Sequence, residues 1–188
     1  MRTMTSVDFI LAGLGGQGIL FMTKVLAYAA VDKGYKVMGA ETHGMAQRGG
    51  SVVSHLRLGE VRSTLVRKGA GDVVLALEEN EAYRNIPYLQ AEGQLYANAA
   101  KSTFPREAVK SYLHKRGMVY RSVPASEIAV SLGAPMSANL ALLGFFSAYQ
   151  SHPVSYEELK TTVERISPEP FKAINLKVLQ SGYEQAAG

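Results

Sequence analysis

Residues 8–18 read Asp8-Phe9-Ile10-Leu11-Ala12-Gly13-Leu14-Gly15-Gly16-Gln17-Gly18. Asp8–Ala12 is a short apolar run of strand type, and the glycines that follow cannot continue it. From Gln17 to Lys33 the pattern becomes helical, with Ile19, Leu20, Phe21, Met22, Val25, Leu26, Ala29 and Ala30 apolar on nearly every side. A helix of that kind is covered on two sides, by its own sheet and by something else. Strand, glycine turn and helix in this order open an α/β unit. Gly13, Gly15 and Gly18 match the spacing of the dinucleotide fingerprint, in which the glycines allow a tight turn, a close ligand approach and close helix packing. Backbone N–H groups of Gly15, Gly16, Gln17 and Gly18 at the helix start would suit a phosphate or carboxylate. Packing without any ligand is the competing reading of the same turn.

A second glycine segment follows the next strand, Lys36–Ala40. It reads Glu41-Thr42-His43-Gly44-Met45-Ala46-Gln47-Arg48-Gly49-Gly50. The run is too polar for a core strand and too rich in glycine for a helix. Arg48 is the natural anion anchor, because a planar guanidinium grips phosphate or carboxylate through two parallel bonds. Gly49 and Gly50 would let a partner or ligand approach the backbone, and His43 can donate a hydrogen bond or titrate near neutrality. Pairing of Arg48 with Glu41, and of His43 with its own loop, is the plainer alternative. Glu41 could also serve a bound ribose. In an α/β sheet both glycine segments project from the carboxyl edge, where ligands bind. Glu78 and Asn98, at carboxyl ends of later strands, face the same crevice.

Downstream, Ser51–Leu58 and Val61–Val66 flank Gly59-Glu60 and predict a hairpin, which makes the sheet parallel or mixed. Asp72–Leu77 is a buried strand, and Glu78-Glu79-Asn80-Glu81 opens a helix with acids favoured by its dipole. Leu95–Asn98 and Met118–Val123 are further strands. Between them Pro105 starts a helix with Ala108, Val109, Tyr112 and Leu113 as its apolar face. From about residue 126 the chain is helical: a short helix from Ser126, a longer one over 136–149, and one capped by Ser155 and Glu158. A final helix after Pro168 shows Phe171, Ile174 and Val178. Residues 1–188 thus form one α/β domain with a helical C-terminal region.

Composition narrows the function. The 188 residues include no cysteine, which removes disulfides, thiolate zinc sites and cysteine-ligated clusters from this chain. His43, His55, His114 and His152 lack metal-ligand spacing, so no metal is expected. The net charge of +4 comes from scattered cations rather than a basic stripe, which argues against nucleic acid. Residues 128–156 carry no Asp, Glu, Lys or Arg, yet are too broken by Pro, Ser, Asn and Gln for a membrane span. The N-terminus lacks a secretory pattern, so a cytoplasmic protein is expected. No catalytic residue can be named, since neither a nucleophile with its base nor a carboxylate pair stands out.

Three segments carry a resemblance: Gly13–Gly18, Thr42 to Val52, and Leu75-Ala76-Leu77-Glu78-Glu79-Asn80-Glu81-Ala82. Together they resemble the gamma-type component of 2-oxoacid:ferredoxin oxidoreductases. The wording His43-Gly44-Met45-Ala46-Gln47-Arg48-Gly49-Gly50 looks most like the indolepyruvate branch. The resemblance implies a three-layer α/β/α Rossmann-like domain beside larger subunits, which hold thiamine diphosphate with Mg2+ and 4Fe–4S clusters. It also implies coenzyme A at the interface and ferredoxin as electron acceptor. The whole complex would convert an aryl pyruvate or another 2-oxoacid to acyl-coenzyme A. On this reading Gly13, Gly15, Gly16, Gln17, Gly18, His43, Gly44, Met45, Gln47, Arg48, Gly49, Gly50 and Glu78 line the cofactor site. The chain alone would be inactive, with a homodimer as a plausible isolated form. A self-sufficient NAD(P)-dependent reductase and a non-catalytic assembly module are the other readings.

Overall fold

The computed structural model describes residues 6–43, 49–149 and 153–186. Six strands form one sheet: β1 (Val7–Leu14), β2 (Val37–His43), β3 (Ser51–Leu58), β4 (Gly71–Ala76), β5 (Leu89–Asn98) and β6 (Val119–Val123), in the order β2-β3-β1-β4-β5-β6. β1, β4, β5 and β6 run parallel, while β3 is antiparallel to both its neighbours. The sheet is therefore mixed.

The predicted hairpin about Gly59-Glu60 is not formed. β3 pairs with β2 from Val37↔Leu58 to His43↔Val52, so residues 44–50 of the second glycine segment are the hairpin connection. Both edges of β3 are filled by β1 and β2, which leaves no ladder for residues 61–66. Their backbone is bound by side chains instead. Arg57 donates to the Ser63 and Leu65 carbonyls, and the Val66 N–H donates to Nδ1 of the buried His55 at 3.2 Å. Burial, with Arg57 nearby, holds the His55 pKa below its ordinary value.

Helices cover both faces. α1 (Ile19–Asp32), α4 (Ala125–Ser131), α5 (Ala138–Ser147), α6 (Tyr156–Ile166) and α7 (Glu169–Glu184) share one apolar cluster, while α2 (Glu79–Asn85) and α3 (Glu107–Lys115) belong to the other face. This is the expected three-layer arrangement. α1 buries Ile19, Met22, Val25, Leu26, Ala29 and Ala30, while Leu20, Tyr28 and Val31 are exposed on its outer side. The α3 face is narrower than predicted: only Leu113 is buried, and Tyr112 lies in water. The last helix differs too, since α7 buries Asn175, Val178, Leu179 and Gly182 and leaves Phe171 outside. The capping box holds, with the Ser155 hydroxyl accepting from the Glu158 N–H and the Glu158 carboxylate accepting from the Ser155 N–H.

The α5 part of the uncharged stretch forms the centre of the core. Every residue of α5 from Asn139 to Ser147 is buried, because α5 lies between the sheet and α7. Phe146 meets Phe9 and Tyr96 edge-on, with ring centres 5.9 and 5.1 Å apart. α7 reaches α5 through glycine: a Cβ on Gly144 would overlap the Leu179 carbonyl, and one on Gly182 the Ala141 carbonyl. No helix among the described residues is long and apolar enough to cross a membrane.

Alanine is favoured over glycine by about 1 kcal/mol at an open helix position, whereas overpacking costs about 1–3 kcal/mol. Backbone cannot move aside cheaply, so overpacking should win. Gly144→Ala and Gly182→Ala are each expected to lower unfolding free energy by about 2 kcal/mol, read by urea titration. A gain in stability would show that the two helices can separate at no cost.

Candidate functional site

Strand order reverses between β1 and β4: the chain leaves β1 toward β2 on one side and resumes with β4 on the other. Carboxyl ends of strands at such a point frame the usual ligand crevice of a doubly wound sheet. Here they are Gly13-Leu14 and Leu77-Glu78. The Leu77 N–H donates to the Ala12 carbonyl at 2.8 Å, which carries the sheet pairing to the rim.

Gln17 organises the first turn. Its Oε1 accepts from the Leu14 N–H at 2.8 Å, and its Nε2 donates to Glu78 Oε1 at 2.6 Å across the crevice. The Gln17 N–H returns to the Leu14 carbonyl at 3.1 Å, and the Gly15 N–H donates to the Gly50 carbonyl at 2.9 Å. That last bond extends the β1–β3 ladder, in which Leu14 faces Ser51. The exit of the second glycine segment is thereby fixed against the first turn. Gly13 is closely surrounded, since a Cβ there would stand 2.9 Å from Gln17 Oε1 and 3.2 Å from Leu77 Cβ, and Gln17 would have to shift. Gly18 has φ 78° and a Cβ site 2.5 Å from Asn139 Nδ2, which donates to the Gly18 carbonyl at 3.0 Å. Gly16 differs: φ is 97° and its Cβ direction is open. It is the glycine that leaves backbone accessible, beside a cavity of about 90 Å3 lined by Gln17, Leu77, Asn98, Ser126 and Met136.

Glu78 precedes α2 and is half-buried, with Gln17 as its hydrogen-bond partner among the described residues. Asn98 ends β5 and locks onto α4: its Nδ2 donates to the Leu77 carbonyl at 3.2 Å and to Ser126 Oγ at 2.7 Å, and its Oδ1 accepts from the Ser126 N–H at 3.1 Å. The structure brings Gly13, Gly15, Gly16, Gln17, Gly18, Gly50 and Glu78 together. His43 closes β2, and Gly49, with φ 77°, precedes Gly50. Gly44, Met45, Gln47 and Arg48 lie outside the described residues. Glu41 is exposed on the edge strand β2.

Two residues belong to this assembly that the sequence did not reveal. Glu81 is 1 % exposed, and its carboxylate accepts from Ser51 Oγ at 2.7 Å and from Arg84 at 2.6 Å. It looked like one more acid favoured by a helix dipole, yet it holds the first residue of β3. Asn139 sat unnoticed in the uncharged stretch, where a lone amide among apolar residues was the available signal.

An anion at the start of α1 meets opposition here. The Leu14, Gly15 and Gln17 amides already have acceptors, and the Glu78 carboxylate stands across from them. Those three amides are therefore not open to a dinucleotide pyrophosphate or to thiamine diphosphate. Metal ions and clusters find no ligand set either: cysteine is absent from the sequence, and no group of three His, Asp or Glu side chains is placed for a metal among the described residues.

Comparison with known proteins decides the family. The pyruvate ferredoxin/flavodoxin oxidoreductase model matches residues 8–185. This chain belongs to that family. Indolepyruvate oxidoreductase subunit IorB of Archaeoglobus fulgidus is 35% identical over 96% of this chain and 95% of its own length. The subunit of the same name from Methanothermobacter thermautotrophicus is 33% identical over 96% and 97%. The crystal structure of a keto/oxoacid ferredoxin oxidoreductase gamma subunit from Geobacter sulfurreducens superimposes with a TM-score of 0.74 at 23% identity, covering 96% of this chain and 98% of the other. That likeness shows a shared fold. The Gln17–Glu78 bridge is how this member of the oxidoreductase family closes its switch-point crevice.

The bridge can be tested by exchange. Gln17→Glu sets a second carboxylate against Glu78 and should cost about 1–3 kcal/mol at neutral pH. Adding Glu78→Gln swaps donor and acceptor, keeps both bonds, and should restore most of that loss in a double-mutant cycle of thermal unfolding. Additive losses would show that the two side chains do not interact.

Proposed function

We propose that this chain is the small, cluster-free subunit of an oxidoreductase that oxidises indolepyruvate or a related aryl pyruvate. The observation that carries this reading is reciprocal coverage: almost the whole chain aligns with almost the whole of two subunits named for indolepyruvate oxidoreductase. In the proposed reaction the 2-oxoacid loses carbon dioxide, its acyl group passes to the coenzyme A thiol, and two electrons leave through ferredoxin. A chain without cysteine cannot ligate the clusters on that path, so the redox centres, and with them thiamine diphosphate and its metal, belong to larger cytoplasmic partner subunits.

The part left to this chain is to shape one wall of the shared site. The first turn fixes where the second glycine segment emerges, through Gly15–Gly50 and through Ser51 on Glu81. Arg48 and His43 belong to that segment by sequence. Arg48, rather than the start of α1, is the residue proposed to steady an anion of coenzyme A or of the oxoacid. A nicotinamide-dependent reductase is disfavoured because Glu78 would face the pyrophosphate. A homodimer of the isolated chain has an obvious patch in Leu20, Tyr28 and Val31 on α1.

Anaerobic purification of the tagged chain from its native cells should bring down a larger cluster-bearing subunit. The complex should reduce a viologen with coenzyme A and an aryl pyruvate. In that complex Arg48→Ala is expected to raise KM for coenzyme A or oxoacid about tenfold or more, the loss of one charge-assisted contact. Unchanged kinetics in an intact complex would remove Arg48 from the site. A chain that comes down alone and inactive would overturn the subunit reading.

A further inference from the structure

Beyond the glycine segments, one other part of the surface is built like a ligand site. It lies at the free edge of β6, where that strand meets the ends of α5 and α7. A cavity of about 300 Å3 there is lined by Lys101, Phe104, Tyr120, Arg121, Phe145 and Tyr149 among others, with no acidic side chain in its wall among the described residues. The volume is at the lower end for small-molecule sites.

Arg121 is the unusual member. It stands opposite Tyr96 in the β5–β6 register, with its guanidinium 4.1 Å from the Tyr149 ring centre and 5.7 Å from that of Tyr96. The rings hold it in place through cation–π attraction. A guanidinium carries five N–H donors, yet among the described residues Arg121 makes no hydrogen bond or ion pair. The other cation, Lys101, reaches only the Gln185 carbonyl among the described residues, at 3.3 Å. Edge strands are often guarded by charges that project into water. Arg121 does not fit that role, because it is half-buried and flattened against aromatic rings. A long cation already fixed with its donors unspent can take an anion without a further cost of ordering the side chain.

We infer that this cavity binds an aromatic carboxylate, its carboxylate taken by Arg121 and Lys101 and its ring by Phe104, Tyr120 and Tyr149. Two cations without a wall carboxylate select the charge, and the rings select a flat apolar body over a bare inorganic anion. The site is three strands from β1 and stands apart from the switch-point crevice, so it does not depend on the proposed function. It is a second place at which an aryl acid could act on this subunit.

The chain has no tryptophan and ten tyrosines, so the emission anisotropy of indole-3-acetate, excited on the long-wavelength side of tyrosine absorption, reports binding to the full chain. A saturable rise with one site per chain is expected. Arg121→Met, which keeps the packing on Tyr149, should weaken binding at least about tenfold, the worth of one charge-assisted pair. Lys101→Met, at an exposed position that cannot unfold the chain, should weaken it severalfold. Inorganic phosphate should displace the probe only at much higher concentration. No saturable rise would overturn the proposal, as would wild-type affinity in both variants. Displacement by phosphate as readily as by indole-3-acetate would overturn the aromatic part.

Discussion

One side-chain amide holds the working edge of this protein together. Gln17 accepts from the Leu14 N–H and donates to the Glu78 carboxylate, joining the end of β1, the start of α1 and the entry to α2. Its neighbour Gly15 ties the same turn to Gly50. Because Leu14 and Ser51 also face each other across the β1–β3 ladder, the second glycine segment leaves the sheet at a fixed point. Glu81 reinforces that point from below through Ser51. Removing Gln17 would leave Leu14 without its acceptor and Glu78 without its donor.

The same arrangement separates this chain from a nucleotide-binding relative in fold. The glycine spacing is right and the turn sits at the switch point, but the glycines serve other ends. Gly13 and Gly18 make room for Gln17 and Asn139, and a carboxylate occupies the side from which a phosphate would be stabilised. Charge decides here over motif. What remains is a shaped edge, which suits the proposal that other subunits complete the site.

Periodicity and turn residues carried much of the architecture. The strands ending at Ala12, Ala40, Leu77, Asn98 and Val123 and the capping box at Ser155 are local signals, and they correspond to elements of the structure. Long-range choices were not readable in the same way. Residues 61–66 have the composition of a strand, but β3 had already spent both edges, so the hairpin formed one connection earlier. Phe171 fits the apolar face of its helix by spacing, yet α7 meets α5 through Gly182, and the contact face turns toward Asn175, Val178 and Leu179. Glu78 and the glycines of the first turn could be placed at one sheet edge because motif and position agree. Glu81 and Asn139 escaped because a buried polar partner is defined by what folds against it.

Backbone hydrogen exchange at Leu14 and Gly15 tests the central claim most directly. Both amides sit at the end of β1, where a loose glycine turn would exchange freely. The account predicts protection of both in the wild-type chain, loss of protection at Leu14 in Gln17→Ala, and a matching loss at Gly15 if the two segments are one unit. Rapid exchange at both amides in the wild type, or protection unchanged by the substitution, would contradict it.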